Sequence, residues 1–214
     1  MLQTPGPVIT ISREHGCDAK ELSKGIKDRL RTLGVPQADK WKKINKEILQ
    51  DASKELKIST LELTHALTDH HETLIEDLLH SFSNHYDVSS RQIIDTIREV
   101  ILLYAHQGKT IIIGRGGVFM TAHIQNSLHI KLQAPFDWRV KQIQNKFNID
   151  LNKATEQCRH IDEKRKAWND QLDKSNVGDS AYDLILNSKT LSTKQQVDIV
   201  ITALKCRKII PHNV

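Results

Sequence analysis

Residues Val8 to Leu22 read VITISREHGCDAKEL, and this stretch decides the fold. Val8-Ile9-Thr10-Ile11 is a β-branched run behind Pro5-Gly6-Pro7, which predicts a short buried strand. Ser12-Arg13-Glu14-His15-Gly16-Cys17 reads as a loop, and Leu22, Ile26, Leu30 and Leu33 then recur at helical spacing until Gly34 stops them. A strand, loop and helix with Lys20 at the helix entrance can turn backbone N–H groups and the helix dipole toward an anion. The strict pattern G-x-x-x-x-G-K-[ST] is missing, because Asp18 and Ala19 precede Lys20 and Glu21 follows it. On spacing alone, phosphate binding and an ordinary strand-to-helix turn both stay open.

Downstream, residues 40–86 carry helical patterns. Ile44, Ile48, Leu49, Ala52 and Leu56 form one stripe, Ser59 with Glu62 makes a capping box, and Leu74, Leu78 and Leu79 continue the pattern. This region is expected to be a helical insertion without strands. A helix from about Ser90 to the stop at Gly108 precedes a second buried strand, Thr110 to Ile113, which runs into Gly114-Arg115-Gly116-Gly117. Leu128, Ile130 and Leu132 alternate as a third strand, and Pro135 opens a helix carrying Trp138, Val140 and Ile143. A charged helix from about Leu151 to Leu172, a strand from Tyr182 to Asn187 and a last helix capped by Ser192 or Thr193 follow. Strands separated by helices predict an α/β fold, a parallel sheet with helices on both faces. One domain over 1–214 is expected, with its core at 7–36, 88–150 and 180–214.

The composition agrees with a globular protein. Of 214 residues, 38% are hydrophobic and 27% charged, with nine Gly and five Pro, which excludes collagen-like and wholly disordered readings. No apolar run reaches the roughly 20 residues of a membrane span, and Met1 to Ser12 shows no basic region ahead of an apolar one, so neither a membrane partner nor a secretory signal is expected. Cys17, Cys158 and Cys206 are odd in number and widely spaced, as free thiols of a cytoplasmic protein would be. The net charge of +5 points to an anionic partner. Nucleic acid is not expected, since no Lys/Arg-rich run interleaved with aromatics occurs.

Ligands of an open parallel sheet bind at the C-terminal ends of its strands, which selects two loops here. One is the Ser12 to Glu21 segment. The other is Gly114-Arg115-Gly116, where a guanidinium suited to phosphate or carboxylate stands between residues that let a ligand approach the backbone. Arg139 follows the third strand, and Arg159, Asp162, Lys164, Arg165 and Lys166 follow on the charged helix, either as a solvated face or as a segment that closes over a phosphate. Cys17, next to Arg13 and His15 at a helix N-terminus, has neighbours that would depress a thiol pKa. His65, His70, His71 and Glu72 lack metal-ligand spacing, and no metal site is expected.

Several motifs in order resemble the cytidylate kinase-like family of P-loop proteins. Val8 to Leu22 is similar to I-T-I-S-R-x-x-G-S-G-G-[RK]-x-[IL], Asn45-Lys46-Glu47-Ile48 to D-K-E-[LI], Ile111 to Gly117 to V-I-V-G-R-G, and Ala134 to Val140 to A-P-x-x-x-R-[VI]. The pair Asp162 and Arg165 and the run Tyr182 to Asn187 complete the likeness. The resemblance implies a P-loop NTPase-like core with a helical nucleotide-acceptor insertion at 37–87 and a lid at 151–179. It implies transfer of the ATP γ-phosphoryl group to a pyrimidine monophosphate such as CMP or dCMP, with Mg²⁺ as cofactor. Gly16, Cys17, Asp18, Ala19, Lys20 and Glu21 would then face the donor phosphates, with Ser12 and Arg13 shaping the loop. Gly114, Arg115 and Gly116 would meet the acceptor phosphate, and Arg139, Asp162, Lys164 and Arg165 would line the closing site. Asp18, Ala19, Glu21 and Asn45 depart from the family pattern, and the alternative they carry is a degenerate member that binds a nucleotide or other phosphorylated ligand without transferring phosphate.

Overall fold

The structure, a computed structural model, describes residues 6–57 and 90–213. The capping box at Ser59, the helix around Leu74 and Leu78 and the histidines near His70 lie outside the described residues. Strand β1 (Val8–Arg13) leads to helix α1 (Ala19–Thr32), a short 3-10 turn, β2 (Lys42–Ile44) and α2 (Lys46–Glu55). Then come α3 (Ser90–Gln107), β3 (Thr110–Ile113), α4 (Gly117–Thr121), β4 (Ser127–Gln133), α5 (Phe136–Phe147), α6 (Leu151–Leu172), β5 (Leu184–Asn187) and α7 (Thr193–Cys206). The five strands form one sheet in the order β2-β3-β1-β4-β5, and every pairing is parallel.

The pleat of β1 sorts the core into two layers. Ile9 and Ile11 face α1 and α7, packing with Leu22, Ile26, Leu30, Val200 and Leu204. Val8 faces the other way with Ile112, against Ile48 and Ala52 of α2 and Ile97 and Ile101 of α3. Each large side chain buried in this way contributes roughly 1.5–3 kcal/mol. A smaller cluster of Val140, Ile143, Ala154 and Cys158 joins α5 to α6. All three cysteines are free thiols, Cys206 exposed and the other two buried. Among the described residues no helix is long and apolar enough to cross a membrane.

One expectation is corrected. The 40–86 region is not free of strands, for Lys42, Lys43 and Ile44 pair with Thr110, Ile111 and Ile112 at the sheet edge. Lys42 and Lys43 are exposed and only Ile44 is buried, so the strand has no alternation long enough to read, and its lysines are those of a protected edge. Ile44 nonetheless packs with Ile48, Leu49 and Ala52. Two lesser differences concern ends: β1 extends through Ser12 and Arg13 because β4 supplies Lys131 and Leu132 as partners, and β5 begins at Leu184. Helix α4, at five residues, is too short to show a period.

His129 sits in the middle of β4, 6% exposed. Ser127 Oγ donates to Ile124 O at 2.6 Å, so it accepts from His129 Nε2 at 3.1 Å, which leaves His129 Nδ1 to accept from Thr10 Oγ1 at 2.8 Å. The ring is therefore neutral, and burial holds its pKa below the ordinary value. In the unfolded chain it titrates near 6.5. Above that pH neither state binds the proton; below it the unfolded state does and the folded state does not. The stability that His129 contributes should thus be flat above about pH 6.5 and fall with a slope approaching 1.4 kcal/mol per pH unit below it. Urea midpoints from pH 8 to pH 5 check this, and His129→Gln should reduce the slope.

Candidate functional site

The loop between β1 and α1 is held by contacts that the local sequence does not announce. Gly16 adopts φ +96°, and a Cβ there would stand 2.8 Å from Arg139 Cβ and 2.9 Å from Arg139 O. The loop backbone therefore lies directly on the first turn of α5, which only glycine allows. Glu14 Oε2 accepts from Ala134 N at 3.0 Å, and His15 N donates to Asp162 Oδ1 at 2.7 Å. Arg139, 6% exposed, joins these pieces: it pairs with Asp162, lies 3.2 Å from Glu14 Oε2, and donates to Ala134 O at 2.9 Å and His15 O at 3.0 Å. Arg139 does not line the open site as expected but sits behind the loop as a positioning residue. Asp162 likewise turns to Arg139 and the loop, although Arg165 is its neighbour in sequence.

At the entrance of α1, Asp18 is the cap. Its Oδ1 accepts from Lys20 N and Glu21 N, both at 3.0 Å. A carboxylate thus stands on the amides that would face an incoming phosphate, and Lys146 Nζ lies 3.9 Å from its other oxygen. Lys20 and Glu21 are exposed on the wall of a cleft of about 730 Å³, which also takes in Gly16, Ala19, Trp138 and Thr193. Cys17 differs from expectation: burial pushes its thiol up to about 11, outweighing the basic neighbours, so it stays protonated. His15 is pulled down to about 4, first by burial and then by Arg165, and is neutral at pH 7. Its Nε2 is buried and has no hydrogen-bond partner.

The second loop makes a cavity of its own. Gly114, Arg115 and Gly116 all have positive φ, at 72°, 59° and 69°. A Cβ on Gly114 would fall 2.6 Å from Arg13 Nη1, so this glycine lets the Arg13 guanidinium pass. For Arg115 the left-handed conformation costs roughly 1–2 kcal/mol, a strain that selection tolerates where a side chain must point a particular way. Arg13, Arg115, Lys164 and Arg165 line a cavity of about 250 Å³ with Ser12, Gly116 and Trp168, and no carboxylate is among its described lining residues. Burial, then neighbouring arginines, draw Arg13 down to about 10, and burial followed by Arg165 lowers Arg115. Burial also lowers Arg165, which donates to Arg13 O at 3.0 Å. Arg13, Asn45, Ile113 and Arg165 border both spaces, so the cleft and the cavity adjoin.

The structure therefore gathers Arg13, Arg115, Lys164 and Arg165 around one cavity, and Gly16 to Glu21 around the other. It withdraws Arg139 behind the loop, while Asp162, bound to Arg139 and to His15 N, borders a separate pocket with Ser12, Arg13 and Arg165. Trp168 was not a sequence candidate, although its place three residues after Arg165 puts both on one helix face. As to cofactors, among the described residues no group of three or more His, Cys, Asp or Glu could hold a metal ion, and Glu21 stands where a hydroxyl would follow the lysine. Lys20 and the guanidiniums fit an anion and not Mg²⁺, which would have to arrive on the nucleotide's own phosphates.

A parallel sheet in this order, with a glycine-bearing loop and helix after its central strand and a second glycine-rich loop after the neighbouring strand, defines a P-loop kinase-type α/β protein. The sequence profile of the cytidylate kinase-like family matches residues 8–190, and the chain belongs to that family. It is a nucleotide-kinase-like protein. Among solved structures, an uncharacterized protein from Eubacterium ventriosum superposes with a TM-score of 0.66 at 16% identity, over 94% of this chain and 98% of that one. A shikimate kinase from Bacteroides thetaiotaomicron gives 0.48 at 11% identity, over 93% and 96%. A 92-residue stretch is 33% identical to part of a uronate isomerase from Corynebacterium glutamicum, covering 42% of this chain but only 18% of that protein's length.

Proposed function

We propose that the protein is a nucleoside monophosphate kinase that transfers the ATP γ-phosphoryl group to a pyrimidine monophosphate such as CMP or dCMP. The observation that carries this reading is the adjoining of the two spaces along Arg13 and Arg165. Phosphoryl transfer needs a donor and an acceptor phosphate in line, with positive charge where they meet, and requires little else of the protein. Lys20 serves the donor side. Arg115 binds the acceptor phosphate, flanked by Gly114 and Gly116, while Lys164 and Arg165 close from the 151–179 lid. The free thiols accord with a cytoplasmic setting.

The Asp18 carboxylate on the Lys20 and Glu21 amides favours a second reading, a regulatory protein that binds the nucleotide or another phosphorylated ligand without transferring phosphate. Incubation of the purified chain with ATP, Mg²⁺ and each nucleoside monophosphate in turn separates the two. The kinase reading expects a diphosphate product with CMP or dCMP. Measurable nucleotide binding without diphosphate from any acceptor would sink it and leave the second.

A further inference from the structure

We propose that Trp168 is a ligand-binding residue of the arginine cavity, its indole N–H donating a hydrogen bond to the oxyanion that the guanidiniums attract. The inference rests on reading that cavity as the site of a phosphate, and it adds a neutral donor that neither the motifs nor the charge pattern indicates.

Trp168 Nε1 is buried and has no hydrogen-bond partner. An indole nitrogen only donates, so no acceptor elsewhere in its surroundings satisfies it, and buried donors of this kind are rare in folded proteins. The atom is also well placed. It lies 3.2 Å from where a Cβ on Gly116 would stand, which sets the ring edge against the Gly114 to Gly117 loop, and Trp168 borders the same 250 Å³ cavity as Arg115 and Arg165. Leu172 Cδ1 lies closer still, 2.0 Å from the same point, so the bare Gly116, at φ +69°, is what lets Leu172 and the indole edge both reach the loop.

The surroundings select the ligand. Burial first, and then like charge, lowers the proton affinity of Arg13 (through Arg165 and Arg115) and of Arg115 (through Arg165), burial lowers that of Arg165 against a partial offset from Asp162, and the cavity's described lining residues include no carboxylate. An anion relieves that repulsion, and a tetrahedral phosphate has enough oxygens to accept from several guanidiniums and from the indole at once. With Lys164 the cavity already has four cationic side chains on its wall, and an indole adds a donor without adding a further like charge. The ligand class is therefore a phosphate, free or carried as a monoester on a nucleoside.

The test uses the full chain labelled with ¹⁵N, its tryptophan indole resonances assigned in the wild-type protein, and inorganic phosphate and CMP as separate probes. The expected result is a saturable downfield shift of the Trp168 indole proton. Trp168→Phe should weaken binding about tenfold by calorimetry, the loss expected for one hydrogen bond to a charged group. A shift with both probes assigns the site to the anion itself, and a shift with CMP alone assigns it to the esterified phosphate; both support the proposal. If Trp168→Phe does not fold, the wild-type shift decides by itself. Binding that Arg115→Gln abolishes but that leaves the Trp168 resonance unmoved overturns the role of Trp168 and leaves the phosphate cavity standing. Absence of binding by either probe, or binding indifferent to Arg115→Gln, overturns the cavity and the inference together.

Discussion

Arg115→Gln is expected to weaken CMP binding about a hundredfold, about 2.7 kcal/mol, while raising the thermal midpoint of the ligand-free protein. The two effects have one origin. Arg115 is drawn into the cavity beside Arg165 in a left-handed backbone conformation, and its proton affinity falls through burial and that like charge. With a phosphate bound, the guanidinium supplies charge-assisted hydrogen bonds; without one, it repels its neighbour. Glutamine removes both. Relief of the repulsion is worth about 1 kcal/mol, which for a chain of this size is about 2–4 °C. Calorimetric titration and a thermal scan measure the pair of changes. Loss of affinity with an unchanged or lower midpoint would refute the repulsion, and unchanged affinity would refute the acceptor-phosphate role.

Asp18→Gly is expected to act in the opposite sense on the other side of the site, tightening ATP binding by about tenfold. The carboxylate occupies the amides of Lys20 and Glu21 and would oppose a phosphate placed there. Two unit charges 4 Å apart interact with about 4 kcal/mol near a protein surface, and the exposure of Asp18 reduces this to about 1–2 kcal/mol. Glycine is tolerated at an N-cap at a cost of a few tenths of a kcal/mol, so the fold should hold. Asp18→Asn keeps the cap and removes only the charge, and should fall between wild type and glycine. Equal ATP affinity in all three proteins would show that the donor does not meet this helix end.

Much of the fold is legible in the sequence because the central strands are written as apolar runs ended by glycine or a turn. Thr110 to Ile113, and a helix from about Leu151 to Leu172, are readable in this way. Lys42 to Ile44 is not, because a three-residue edge strand with two solvated lysines has no period to detect. The site divides in the same way. Arg115 announces itself by the glycines around it. Arg139 looks the same in sequence whether it faces a ligand or a buried pair, and its partners Glu14 and Asp162 come from distant parts of the chain. For Cys17 the adjacent basic residues were visible while the burial that overrides them was not.

The hydrogen bond from His15 N to Asp162 has a kinetic consequence. Helix α6 carries Asp162, the loop carries His15, and α5 carries the Arg139 that pairs with Asp162 and donates to His15 O. If α6 swings away alone, it abandons both partners of Asp162. If it swings together with α5, Arg139 leaves His15 O and the loop loses its seat at Gly16. Either route breaks a part-buried contact to the loop, so any outward motion of α6 is slowed by the lifetime of that latch.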